Sequence, residues 1–507
     1  MRALRLLTAV ALAASCSGDS VKDADPIDDS AHLVDDTATP PALSVDVLVI
    51  GAGPAGLAAA WEAQEAGASV VVLEMDERSG GGGWYARQMF AAGTGAQAEA
   101  GIVDSPAQAL AEWASFTDGG DPTDPWVIAM VEGSAGILDW LVDSFGAEVG
   151  PLVFDVGAGS VPRVHPVTID GEAPVAGLVT ATEAAVWTEH RADALVSEDG
   201  RVVGAQFTDL RTGEEGWIEA GATVVATGGF ARDLDRVLAD RPGLDGATVV
   251  FEHHPNAVGG GHPLLEALGV PFQNAGSFGV YVHAVEDWRE PGEALWPRNL
   301  FATMIVDLEG QRVADEQAVQ GFKLVESLLE APEKRLLALY PAALFEPMRL
   351  AVPAYNWAEA GQEEEIDALE LIDEGLAWRF ADAADAAAHF GVDPDALTAS
   401  VQRYDDLARQ GTDDDFGKPG FLMVPFGADP IYVIELVAGA AKAFGGAALD
   451  EQARVLGVDG TPVPGLYAAG EVAGMLGTEA VGQGFSGSLT AVFLTGRVAG
   501  REAAAAR

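Results

Sequence analysis

Residues 45–74 constrain the fold more than any other stretch. Val45-Asp46-Val47-Leu48-Val49-Ile50 reads as a buried strand, Gly51-Ala52-Gly53-Pro54-Ala55-Gly56 as a glycine turn, and the alanine-rich run up to Glu65 as a helix. Val70-Val71-Val72-Leu73-Glu74 then reads as a second strand that closes on an acid. In such a strand–turn–helix, Gly51 permits the tight turn, Gly53 lets the backbone approach a pyrophosphate, and Gly56 lets helix and strand pack closely. The helix N-terminus offers unpaired N–H groups and a positive dipole end to phosphate. Glu74 stands where an acid accepts from ribose hydroxyls and repels a 2′-phosphate. A GxGxxG alone is a weak signal; set between these two strands it reads as a dinucleotide site.

The 507 residues, 49% hydrophobic, are enough for two or three domain-sized units with real cores. Against 78 Asp+Glu stand 28 Lys+Arg, a formal net charge of −50. That charge speaks against nucleic acid as a partner and against anionic lipid meeting the protein surface; it suits solubility at high salt. No apolar run reaches the roughly 20 residues of a spanning helix.

Residues 1–16 differ in kind. Arg2 and Arg5 flank the start of a short apolar run that ends Ala13-Ala14-Ser15-Cys16, the pattern of an export signal. Small residues before Cys16, the chain's one cysteine, resemble a bacterial lipoprotein processing site, and lipid on Cys16 would then be the membrane anchor. An ordinary signal with an incidental cysteine is the other reading. Either way the chain is expected to be exported, to the cell envelope or periplasm. Residues 17–44, rich in Asp, Ser, Thr and Pro, read as an acidic disordered linker. With Cys16 used, no thiolate metal site, iron–sulfur cluster or haem attachment is left, so electrons must pass to or from an external donor or acceptor.

Further on, Gly80-Gly81-Gly82-Gly83 offers a second close backbone approach, and residues 103–150 read as helices outside a sheet. Strand patterns resume from 191, and a strand at 221–226 runs into Thr227-Gly228-Gly229-Phe230, placing Gly229 where open α/β sheets bind ligands. Residues 276–430 form a compositionally separate block, after which Gly465-Leu466-Tyr467-Ala468-Ala469-Gly470-Glu471 gives a last strand and an apolar helix starts at Ser488. The expected class is α/β: a doubly wound, Rossmann-like dinucleotide-binding domain in two parts, 45–275 and 431–507, with an α+β capping or clamp domain at 276–430 inserted between them.

These landmarks, in this order, resemble the flavoprotein subunit family of fumarate reductase and succinate dehydrogenase. That family also includes soluble fumarate and urocanate reductases and ketosteroid Δ1-dehydrogenases. The resemblance spans about 45 to 505 and rests on GAGPAGLAAA (51–60), VVLE (71–74), GGGGWYARQMFAAGT (80–94), DGRVVGAQF (199–207), TVVATGGFA (223–231), HPNAVGGGH (254–262), VDLEGQRVADE (306–316) and GLYAAGEV (465–472). It implies FAD as cofactor and a substrate that gains or loses hydrogen across a carbon–carbon bond beneath a mobile clamp. It also implies non-covalent FAD, since no histidine lies between His32 and His165 to carry a covalent link. NAD in place of FAD is disfavoured by the two-sided glycine architecture and the late Gly-Glu. Carried over residue by residue, Gly51, Gly53, Pro54, Ala55 and Gly56 would face the pyrophosphate, with Gly81 and Gly82 on its far side. Glu74 would hold the adenosine ribose and Glu471 the ribityl chain. Ser488, Leu489 and Thr490 would aim helix N–H groups at the flavin N1/C2 region.

The cationic cage of the fumarate reductases has no counterpart in this chain. The proton-donor arginine position falls at Gln320, and no basic residue lies between Arg312 and Lys323. Ala441 and Lys442 stand where a substrate histidine is expected before Gly445-Gly446. No Lys or Arg occurs between Arg454 and Arg497, and Gln483 is the nearest polar stand-in. A dicarboxylate bound without those cations would bring unpaired charge into a desolvated site, at a cost of roughly several kcal/mol. The catalytic candidates are therefore His165, in Arg163-Val164-His165-Pro166, and Tyr281 with His283, two apart on one face of a strand. Each has an ordinary packing role as its alternative. His254 is read as shaping its loop, and Trp84, Tyr85, Met89 and Phe90 as core. The resulting reading is an FAD oxidoreductase acting on a CH–CH or C=C bond of a small, non-dicarboxylate substrate by hydride transfer at flavin N5. The alternative is a non-catalytic or electron-storing FAD-binding envelope lipoprotein.

Overall fold

The computed structural model describes residues 43–116, 121–152, 159–276, 278–297, 299–316, 322–351, 365–474 and 488–507. The expected signal, the linker up to residue 42, Gln320 and Gln483 lie outside them, while Leu43 and Ser44, expected as the end of the linker, open the first strand. The principal elements are β1 (Leu43–Ile50), α1 (Pro54–Glu65), β2 (Val70–Leu73), α2 (Pro125–Phe145), β3 (Val186–Trp187), β4 (Glu215–Val225), β5 (Gly279–Glu286), β6 (Leu336–Pro341), β7 (Ile431–Lys442), β8 (Pro462–Ala468) and α3 (Ser488–Ala505).

Five parallel strands in the order β8-β4-β1-β2-β3 form the dinucleotide sheet. Strands covered on both faces read as unbroken apolar runs, and Val47 through Ile50 and Val71 through Leu73 are all buried. A hairpin of His190–Glu198 and Arg201–Asp209 extends this sheet beside β4. Helices α1 and α3 lie together, because Gly496 and Gly500 put the α3 backbone directly on Ala55 and Ala59. Outside them runs α2, capped by Asp124 at its start and by Gly146, in a left-handed conformation, at its end. By length and composition α2 could cross a membrane, but half of its most apolar window is buried within the fold, with Trp140 packed edge-on to Phe493 of α3. The sequence reading found no such run, because Glu132, Ser134 and Asp139 interrupt it.

The second sheet has nine strands and is organised on β7, which pairs antiparallel with β5, β6 and Ala377–Phe380, and parallel with Val249–Phe251. It overruns both limits of the expected 276–430 insert. Its first strand precedes 276, and its central strand lies wholly after 430. The run at 431–442 is apolar on both faces and reads equally well as a strand of either sheet; its hydrogen bonds assign it to the cap.

Two buried ionic groups hold peripheral segments in place. In the cap, Arg312 grips Glu316 with two hydrogen bonds of 2.8 Å and reaches Asp413 at 2.9 Å. Lys418 Nζ joins Glu316 at 3.1 Å and also donates to the Thr303 carbonyl and the Tyr404 hydroxyl. The VDLEGQRVADE segment thus serves the cap core. Glu316→Leu would leave Arg312 and Lys418 with Asp413 as the one remaining carboxylate of the group. Urea unfolding is expected to show a loss of about 3–5 kcal/mol.

In the dinucleotide lobe, Arg163 is fully buried between Asp104 and Glu112, each at 2.8 Å. Burial opposes the charge of Glu112, but Ser160, Arg163 and Gln108 outweigh it and hold its carboxyl at about 2, against 4.5 unperturbed. The stability this lends is complete above pH 4.5 and fades as pH falls toward 2. Wild type is therefore expected to melt above Glu112→Gln at pH 7, and the gap to narrow steadily from pH 5 to pH 3. A constant gap would mean that the Glu112 charge contributes nothing.

Candidate active site

A cavity of about 980 Å³ lies between the two sheets. Strand β1 ends on its floor. The chain turns there at Gly51, whose φ of +101° suits only glycine, and a Cβ at that position would meet the Ala226 carbonyl at 2.5 Å. Helix α1 starts from Gly53, which makes no side-chain cap, and Pro54 occupies the first turn, where its missing N–H costs nothing. Gly56 faces inward, and a Cβ there would lie 1.9 Å from the Gly51 carbonyl oxygen. Gly53 is the opposite case: a Cβ would meet no atom of the described residues within 4 Å, which leaves a group occupying the cavity as the reason for glycine there.

Each dinucleotide candidate named from the sequence lines this cavity except Gly56, which supports the turn from behind, and Thr490, which is buried with its hydroxyl donating to the Phe90 carbonyl. Glu74 closes β2, and its two oxygens accept from the backbone N–H groups of Ala52, at 2.7 Å, and Asp76, at 2.9 Å. Burial pushes its carboxyl above the ordinary range despite those donors. The Glu74 carbonyl accepts from His190 N–H, which brings His190 and Arg191 to the same end of the cavity. Glu471 accepts from Ala443 N–H at 2.5 Å and faces His253 Nε2 at 3.5 Å. Burial opposes its charge, but His253, Ala443 and Lys442 outweigh burial and hold its carboxyl low. A Cβ on Gly229 would lie 2.4 Å from Glu471, and one on Gly82 would lie 3.1 Å from His253, so these four residues close one side of the cavity together. His253 Nδ1 is buried with no hydrogen-bond partner among the described residues. A polar atom left open there, an uncapped helix start and the open cradle at Gly53 fit a phosphate-bearing cofactor with polar chain atoms.

The catalytic candidates separate. His165 does not line the cavity. It is fully buried on the strand Val164–Thr168, with Nδ1 donating to the Arg163 carbonyl at 3.0 Å and Nε2 accepting from Thr94 Oγ1 at 2.8 Å. Burial pushes its pKa below the ordinary value, and the packing alternative describes it. Tyr281 does line the cavity. A bulge between Tyr281 and Ala284 breaks the two-residue alternation of β5, so the shared face argued for His283 does not follow; the His283 side chain lies outside the described residues. His254 and Tyr85 reach the cavity wall, whereas Met89 and Phe90 are core and the Trp84 indole ties its own glycine loop through the Ser79 carbonyl. Burial, then the charges of His253 and Arg232, holds His254 down at about 4. Sequence reasoning missed His253, Trp296, Asn299 and Phe301 on the wall. His253 stands beside a histidine it did single out; the other three carry no local signal.

Gly53→Val is expected to fold, at a cost of about 1 kcal/mol in helix capping, yet to purify without flavin absorbance. Retention of wild-type flavin content would place the cofactor elsewhere.

The model of the FAD binding domain family matches residues 46–486. Urocanate reductase of Eggerthella lenta is 29% identical over 478 residues, covering 91% of this chain and 75% of that protein. Fumarate reductase (cytochrome) of Shewanella frigidimarina is 28% identical over 484 residues, covering 92% and 78%. Among solved structures, 3-ketosteroid Δ1-dehydrogenase from Sterolibacterium denitrificans superposes with a TM-score of 0.76 at 17% identity, covering 92% of this chain and 100% of that one, a likeness of fold. The chain belongs to the FAD binding domain family, and it is an FAD-dependent oxidoreductase.

Proposed function

We propose that this enzyme adds hydrogen to, or removes it from, a carbon–carbon bond beside a carbonyl or a single carboxylate in a small substrate, and that dicarboxylates are poor substrates. Bound FAD supplies or accepts the hydride at N5. The remaining tasks fall to the cavity wall, and the scarcity of cations there carries the proposal. Of the Lys and Arg side chains that line the cavity among the described residues, Arg191 faces Asp193 at 2.7 Å, Arg87 faces Glu172 more loosely at 3.7 Å, and Lys442 meets no carboxylate. The cap presents Tyr281, Trp296, Pro297, Leu300 and Phe301, a largely apolar surface suited to a hydrocarbon or aromatic body. A second desolvated carboxylate would have to draw Arg87 from Glu172 or stay unpaired, at a cost of roughly several kcal/mol. Export, and an external electron partner, belong to the same proposal, since past Cys16 the chain has no cysteine for a redox centre.

The test is reoxidation of the dithionite-reduced, FAD-loaded protein, followed anaerobically by stopped flow. Cyclic enones or aryl-substituted enoates are expected to speed reoxidation at least about tenfold over fumarate at equal concentration. Preference for fumarate would overturn the substrate class. Indifference to every acceptor would favour a flavin that only stores electrons.

A further inference from the structure

The nine-stranded sheet delivers one ammonium group to the cavity. Lys442 is the last residue of β7 and pairs with Gly279, the first residue of β5. Gly279 leaves room for the Phe444 ring, 2.8 Å from where a Cβ would stand, and the lysine stem passes beside it at ordinary contact distance. So seated, Nζ stands 3.0 Å from Ser488 Oγ and 5.9 Å from the centre of the Tyr281 ring. A lysine has three donors and no acceptor. One donor goes to Ser488, and among the described residues no carboxylate oxygen lies within 4.0 Å of Nζ. Glu471 is close enough to feel its charge but is engaged by Ala443 and His253. In a chain where acids outnumber Lys and Arg by 78 to 28, a cavity-facing ammonium without a carboxylate partner is an exception.

We propose that Lys442 is the substrate anchor, its ammonium binding the carbonyl or carboxylate oxygen of an α,β-unsaturated substrate while Tyr281, Trp296 and Phe301 wall the carbon skeleton. The assignment rests on the double-bond chemistry proposed above. In the reductive direction bound FAD would supply the β carbon with a hydride, carrying two electrons. The π pair shifts through the α carbon toward the oxygen, and a proton from water then completes the α carbon, so that CH–CH replaces C=C. Negative charge builds on the oxygen in the transition state, beside Nζ, where a fixed cation stabilises it without reorganising. The N-terminal end of α3, beginning at Ser488, adds a dipole of the same sign.

Cinnamate is the probe, with binding to the oxidised holoprotein read from the flavin absorbance. Lys442→Met is expected to weaken it about 10- to 100-fold, the loss of one charge-assisted hydrogen bond. Cinnamyl alcohol, which lacks the charged group, should change by less than about threefold on the same bond scale. Lys442→Arg should recover part of the cinnamate affinity, and the flavin midpoint potential should stay that of the wild type in both variants. A lowered potential with unchanged cinnamate affinity would assign Lys442 to the flavin and overturn the proposal. Equal or absent binding of cinnamate and the alcohol by wild-type protein would overturn it too, and that comparison needs no variant to fold. If Lys442 governs binding but no acceptor reoxidises the flavin, the reaction class fails and the anchor stands. If acceptors turn over and Lys442→Met leaves their KM unchanged, the anchor fails alone.

Discussion

Gly496 and Gly500 bring α3 so close to α1 that a Cβ at either position would lie within 2.3 Å of the Ala55 or Ala59 carbonyl oxygen. That contact joins segments more than 430 positions apart in sequence. It sets the start of α3, with Ser488 and Leu489, beside the start of α1, with Gly53 and Ala55, so that two helix N-termini face one cavity. The Gly470 N–H donates to Thr495 Oγ1, which fixes the Glu471 turn to the same helix. Alanine and glycine carry little burial energy of their own. What they contribute here is distance: larger residues would spread the helices and pull one wall off the cofactor.

The chain's few cations are divided sharply in their use. Arg163, Arg312 and Lys418 are buried among carboxylates and hold segments of core, where each is worth most as one member of a complete group. At the cavity rim Arg191 is engaged by Asp193, and Arg87 faces Glu172 more loosely at 3.7 Å. Lys442 alone of the cavity's Lys and Arg meets only a hydroxyl and a ring among the described residues. With a net charge of −50 the molecule repels anions at long range, so a bound anion owes its place to contacts at the wall.

The dinucleotide side of the site was legible because its requirements are local. A close backbone approach demands glycine at 51, 53 and 56, and a parallel strand buried on both faces demands an unbroken apolar run. Both leave marks within a few residues. His165 was not legible in this way. Thr94, which donates to its Nε2, comes from a separate stretch, and only packing reveals that both ring nitrogens are satisfied. The cap boundary escaped for a related reason, since the strand partners of β7 lie from about 50 to about 190 positions upstream and nothing in its own residues names them. Tyr281 was found by pattern, yet the bulge after it removes the alternation that linked it to His283.

One hydrogen bond crosses the cleft at its most polar point. The Lys442 backbone belongs to the cap sheet, while its head group is held by Ser488 on the dinucleotide lobe. The next residue makes a second tie, since Ala443 N–H donates to Glu471 of the same lobe. A ligand oxygen that takes one of the ammonium's two remaining donors would join this seam between cap and dinucleotide lobe without breaking it.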